Sequence, residues 1–189
     1  MEIRKVRPEE YEEAGSVTAL AYSEFGPATS ADPRLRHRDT DGWEEYFERL
    51  ANVAERAEVA EVFVAVEDGR ILGTVTLELD ERISTTHGSL GEQQAHIRML
   101  GVDPNVRRRG VARALMERCV DASNEAGKTV LTLNTTQRME AAQQMYESLG
   151  FVRQPDEVHP DGFVLLSYSM ELTGTTSPHA NSTPSSHSA

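Results

Sequence analysis

One cysteine, Cys119, stands in a chain of 189 residues. No internal disulfide can form, and a reducing cytoplasm is the expected setting. No run of about eighteen apolar residues occurs, which argues against a membrane-spanning helix. The opening residues, Met1-Glu2-Ile3-Arg4-Lys5-Val6, lack the apolar stretch of a secretory signal. Basic side chains are scarce: 19 Lys and Arg against 31 Asp and Glu give a net charge of -12. An acidic surface repels phosphate backbones, so neither nucleic acid nor a membrane is an expected partner, and a cationic one is mildly favoured. The 6 histidines show no ligand spacing, and no metal is expected. Cys119 falls mid-helix in the pattern and reads as an inert buried hydrophobe.

What is present amounts to one domain over residues 1–172 and a Ser/Thr/Pro-rich tail, 173–189, without hydrophobic pattern and expected to be disordered. Residues 2–6 alternate as a short strand. Pro8 followed by Glu9, Glu10, Glu12 and Glu13 predicts a helix over 8–22. Residues 25–41 read as a loop, and Asp41 as the cap of a helix over 42–57. Val62-Phe63-Val64-Ala65-Val66 suits a strand buried on both faces, and Asp68-Gly69 a two-residue hairpin. Residues 71–79 alternate apolar and polar, which predicts a half-buried antiparallel strand. A polar loop over 81–91 leads to a strand over 93–102. A helix over 111–126, a strand over 129–134 and a helix over 138–149 follow, with Gly127 and Gly150 as stops. Segments 151–153 and 163–170 read as closing strands. The fold class is mixed α/β.

The densest chemistry lies at Val106-Arg107-Arg108-Arg109-Gly110-Val111-Ala112. It joins a strand to a helix start. There, backbone N–H groups without intrahelical partners and the helix dipole favour an anion. Three arginines add forked donors suited to phosphate, and Gly110 lets a phosphate approach the backbone. A dinucleotide site would need further glycines and an acidic residue at the end of the next strand, which here ends in Asn134. A P-loop would need Gly-x-x-x-x-Gly-Lys-Ser/Thr, which is absent.

The stretch Arg107 to Ala112 resembles the Arg/Gln-x-x-Gly-x-Gly/Ala signature of the GNAT family of N-acetyltransferases. Ile97-Arg98-Met99-Leu100-Gly101-Val102-Asp103-Pro104 is similar to the family's central strand. The run from Ala141 to Phe151, with Tyr146 and Leu149-Gly150-Phe151, is similar to its later helix and turn. The likeness covers roughly residues 2–170. It implies a single domain with a central mixed, mostly antiparallel sheet of about seven strands flanked by about four helices, with the fourth and fifth strands splayed around acetyl-CoA. It implies that backbone groups of Leu100, Gly101 and Val102 pair with the pantetheine arm. The N–H groups from Arg107 or Arg108 through Arg109, Gly110, Val111 and Ala112 would hold the pyrophosphate, with Arg113 as a further phosphate contact. Asn134 would reach the pantetheine. Where the family often has an asparagine, this chain has Met139.

The implied reaction is direct acetyl transfer from acetyl-CoA to a primary amine, through a tetrahedral intermediate. An ammonium must lose a proton, the oxyanion needs a donor, and the departing thiolate needs a proton. Tyr146 corresponds to the family's proton-donating tyrosine; it is also a core aromatic by its helical face. His96 stands where many members carry a glutamate and is a candidate base, or equally a strand histidine in a structural hydrogen bond. Glu92 and His87 are reserves. The acceptor, a small amine or peptide, would be met by segments 25–41, 81–91 and 154–161. The alternative is a non-catalytic CoA-binding regulatory or sensor module on the same fold, as fold alone does not decide function. A monomer or a homodimer is expected.

Overall fold

The computed structural model describes residues 1–25, 40–80, 84–85, 88–89, 91–158 and 163–173. In chain order the strands are β1 (Glu2–Lys5), β2 (Glu61–Glu67), β3 (Arg70–Glu78), β4 (Ser84–Thr85), β5 (Gly88–Ser89), β6 (Gln94–Val102), β7 (Val130–Thr135), β8 (Val152–Arg153), β9 (Glu157–Val158) and β10 (Val164–Glu171). The helices are α1 (Tyr11–Ser23), α2 (Thr40–Ala51), α3 (Val53–Val59), α4 (Val111–Glu125) and α5 (Glu140–Ser148). The expected 26–39 part of the first loop and the tail from 174 lie outside the described residues.

Eight strands form one sheet in the order β1-β2-β3-β6-β7-β10-β8, with β9 on β10. Every pair in it is antiparallel except β6 with β7. The mixed, mostly antiparallel architecture therefore matches the expectation. The β2–β3 hairpin turns at Asp68 and Gly69, whose φ angles of 49° and 77° are those of a primed turn. The 84–85 and 88–89 pieces pair as a separate ribbon.

Two cores hold the layers. On one face, α4 and α5 bring Val111, Leu115, Met116, Cys119 and Tyr146 against Phe63, Leu77, Ile97, Leu131 and Leu133. On the other, α1 and α3 set Ala14, Val17 and Val53 against Val62, Val64 and Ile71. Cys119 is fully buried, and that burial pushes its thiol well above the usual range.

Three expectations need correction. The helix over 42–57 is two helices. The Asn52 side chain accepts from the Glu55 N–H at 3.2 Å, so it caps α3 and breaks the run after Ala51. The strand over 71–79 is not half-buried. Thr74, Thr76 and Glu78, its polar side, are buried as well, and α1 packs on that face, where Thr18 and Thr74 hydroxyls meet at 2.6 Å. Third, short strands lie inside what read as loops: Ser84–Thr85 and Gly88–Ser89 within 81–91, and Glu157–Val158 after residue 153.

Candidate active site

The parallel pair β6–β7 is in register from Gln94↔Val130 to Ile97↔Leu133. Beyond that point the two strands part. Their separation opens a cavity of about 810 Å3, lined from β6 by Ile97 through Val102, from β7 by Leu133, Asn134 and Thr135, from α1 by Tyr22 and from α5 by Tyr146. A bulge helps aim β6 into it. Thr74 pairs with Gly101 and Thr76 with Arg98, so β6 carries one residue more than β3 between these pairs. Met99, at that point, has φ 53°, a left-handed value that a bulge absorbs.

At one end of the cavity the chain turns into α4. Gly110 is the residue before the helix, with φ 80° and ψ 3°. The first intrahelical bond there is Ala114 N–H to Gly110 O at 3.0 Å. Val111, Ala112 and Arg113 therefore present N–H groups without intrahelical acceptors, and all three residues line the cavity. Arg107 and Arg108 line it too, and Arg108 is itself left-handed at φ 62°. A glycine turn, a helix start and two guanidinium groups converge on one rim, an arrangement that can hold a diphosphate by backbone and charge together.

Two basic side chains differ from the expectation. Arg109 is absent from the cavity wall: its guanidinium turns away to the Glu67 carboxylate at 2.5 Å. Its neighbour Arg107 faces the rim but is held by Glu24. Arg113 reaches Ser148 Oγ at 2.5 Å, tying α4 to α5. Asn134 lines the cavity while its amide donates to Ser167 Oγ at 3.0 Å. Met139 lies at the α5 start, its sulfur accepting from the Thr135 hydroxyl at 3.4 Å.

Tyr146 is 6% exposed and lies on the cavity wall. Its ring packs on Phe151 and Tyr168 at centroid distances of 6.1 and 6.0 Å, so it is a core aromatic that also lines the cavity. Burial, then the neighbouring Tyr168, pushes its phenol well above the usual tyrosine range, which keeps it protonated throughout the neutral range. Tyr22 comes from α1, and sequence reasoning passes over it. Its phenol is likewise raised by burial, then by Tyr46 and Tyr146, which puts two protonated phenols on one cavity.

His96 does not line the cavity; it lies one residue before Ile97, which does. It is buried, and its Nδ1 is 2.8 Å from Thr132 Oγ1. Glu92 is exposed before the start of β6 and does not line the cavity; its carbonyl accepts from Lys128 Nζ at 2.7 Å. His87 lies outside the described residues. Next to His96, the Arg98 guanidinium meets Glu78 Oε1 at 3.0 Å, and Arg98 lines the cavity. Among the described residues no group of three or more acidic, His or Cys side chains could hold a metal, and no helix is long and apolar enough to cross a membrane.

A model of the acetyltransferase (GNAT) family matches residues 21–151. A mycothiol acetyltransferase of Cellulomonas flavigena is 28% identical over 145 residues, 75% of this chain and 37% of that protein. The N-alpha-acetyltransferase 30 of Schizosaccharomyces pombe is 32% identical over 91 residues, 48% of this chain and 57% of that one. The chain thus spans well under two thirds of either relative. Among solved structures, a Salmonella typhimurium protein determined with acetyl-CoA as its cofactor superposes with a TM-score of 0.60 at 21% identity, over 95% of this chain and 98% of that one. A ribosomal-protein-alanine N-acetyltransferase of Brucella melitensis gives 0.59 at 16% identity, over 91% and 100%. These two share the fold.

Proposed function

The chain belongs to the acetyltransferase (GNAT) family, and on that premise we propose that it transfers an acetyl group from acetyl-CoA to a primary amine of a small molecule or peptide. The observation that carries this reading is that the bare amide end of α4 and the protonated Tyr146 open on one cavity between parted strands. The residues fit such a donor. The rim from Arg107 to Arg113 supplies amides and charge for a diphosphate, and the splayed edges of Leu100, Gly101 and Val102 offer backbone groups to an extended amide chain. Acetyl-CoA, when bound, supplies the thioester acetyl group.

The chain's own residues divide the remaining work. A β6 backbone N–H at the Met99–Leu100 bulge stabilises the oxyanion. Tyr146 gives its phenolic proton to the departing sulfur and recovers it from solvent. His96, one residue behind the cavity wall, accepts the proton of the acceptor ammonium through water. Asn134 holds the amide chain from the β7 side.

A second reading, a CoA-binding module without turnover, draws on Met139, whose thioether puts no donor where the family often has an amide. Isothermal titration with acetyl-CoA tests the shared premise. Binding is expected, weakened by Arg107→Ala; absence of any binding refutes both readings.

A further inference from the structure

Arg98 of β6 and Tyr22 of α1 both line the cavity. They belong to the sheet face that α1 covers. Arg98 pairs in register with Thr76 on that face, whereas Leu77 and its partner Ile97 lie in the core under α4 and α5. Tyr146, and Val111 at the start of α4, belong to that opposite face. A thioester whose diphosphate sits at the α4 start therefore enters between the parted strands from the α4 side. Its carbonyl carbon stays open toward the α1 side, and the amine must arrive there.

Arg98 is the accessible member of its ion pair, with a side chain 30% exposed against 5% for Glu78. Glu78 engages Nη1 alone, at 3.0 Å. Nε and Nη2, the other edge of the fork, make no hydrogen bond among the described residues, and neither does the Tyr22 hydroxyl. Such an edge holds parallel N–H donors matched to the oxygens of a carboxylate. The local charge is cationic in a chain of net charge -12. Burial first, then Arg98, pushes the nearby Arg56 guanidinium down to about 10, and its Nε and Nη2 are buried without a hydrogen-bond partner among the described residues. Against Arg98 and Arg56 stands the buried carboxylate of this face, Glu78. A single negative charge brought to Arg98 balances the surplus, and a carboxylate carries that charge. Consecutive Cα atoms lie about 3.8 Å apart. Arg98 directly precedes the Met99–Leu100 bulge, so an anion held there is close to the reacting amine.

Resting on the acetyl-transfer reading above, we propose that Arg98 and Tyr22 are specificity-determining residues that bind a carboxylate beside the acceptor's amine, so that the acceptor is a free amino acid. A peptide N-terminus presents a neutral amide at that place, and a simple amine presents nothing. The step balances. The nitrogen–carbon bond forms as the carbon–sulfur bond breaks. The ammonium gives up one proton to solvent and one that ends on the thiol, and the carboxylate is unchanged.

Thiol release from acetyl-CoA, run on free amino acids with each matched to its primary amide and to peptides that begin with it, reads the preference in the wild type. The best acid is expected to exceed its amide in kcat/KM on the order of tenfold or more, mostly through KM. Arg98→Lys keeps the positive charge beside Glu78 and removes the fork. Arg98→Met combined with Glu78→Gln removes both charges, so that no buried carboxylate is left alone. Each should bring the acid down to the level of its amide, with the acetyl-CoA Kd within about twofold of wild type, and Tyr22→Phe should take the acid part of the way. Calorimetry of the same acids and amides on the CoA-saturated wild type reads the site without turnover. Turnover of amides or peptides within about twofold of the acids, or a preference unmoved by both Arg98 variants, overturns the carboxylate site and leaves acetyl transfer standing. Acids that bind in preference to amides but are never acetylated overturn the acetyl-transfer reading and leave the carboxylate site standing. Neither binding nor turnover of any acid overturns the proposal.

Discussion

The carboxylate of Glu24 grips the Arg107 guanidinium through both oxygens, Nη1 reaching Oε2 at 3.0 Å, so the end of α1 is tied to the basic turn at the cavity rim. The same end of α1 is held from the opposite wall, where Arg138 donates to the Phe25 carbonyl at 2.6 Å. A phosphate arriving at Arg107 competes with a carboxylate already there.

Glu24→Gln should therefore tighten CoA binding. The pair is about two fifths exposed on each side, and exposed pairs are worth at most about 1 kcal/mol. The expected gain is up to about fivefold in Kd at low salt by titration calorimetry, shrinking as salt screens the charges. Weaker binding in the variant would mean that Glu24 orients Arg107 for the phosphate rather than competing with it.

Gly15 of α1 lies against the end of α2 at Ala51. A Cβ built there would lie 2.0 Å from the Ala51 carbonyl oxygen, a backbone atom that cannot swing aside. Gly15→Ala should cost about 2–3 kcal/mol and lower Tm by roughly 5–10 °C in a thermal scan. An unchanged Tm would show that the two helices separate at little cost.

Arg4 holds Glu10 through both carboxylate oxygens at 2.8 and 2.6 Å, and this contact draws the Glu10 carboxyl down from 4.5 to about 2. A carboxyl lowered on folding contributes stability above its unfolded pKa and loses it as pH falls through the folded one. Glu10→Gln should cost about 1–2 kcal/mol at pH 7 in urea unfolding, with the difference from wild type fading between pH 4.5 and about 2. A difference constant with pH would remove the ion pair from the explanation.

The basic turn is legible in the sequence because its signal is local: Gly110, the arginines and the helix pattern are contiguous. Long-range packing is less so. Thr74, Thr76 and Glu78 look like the solvent side of a strand until α1 is laid over them. The outward turn of Arg109 depends on Glu67, far away in sequence, and the contact of His96 on Thr132 across the sheet. Tyr22 carries no motif at all; only the cavity reveals it.

The most direct measurement is thiol release from acetyl-CoA over a panel of amines and peptides, for the wild type and Tyr146→Phe. Turnover with at least one amine is expected. The variant should lose on the order of a hundredfold in kcat, with its acetyl-CoA Kd within about twofold of wild type. Acetyl-CoA binding without turnover on any amine, or full activity in Tyr146→Phe, would contradict the account.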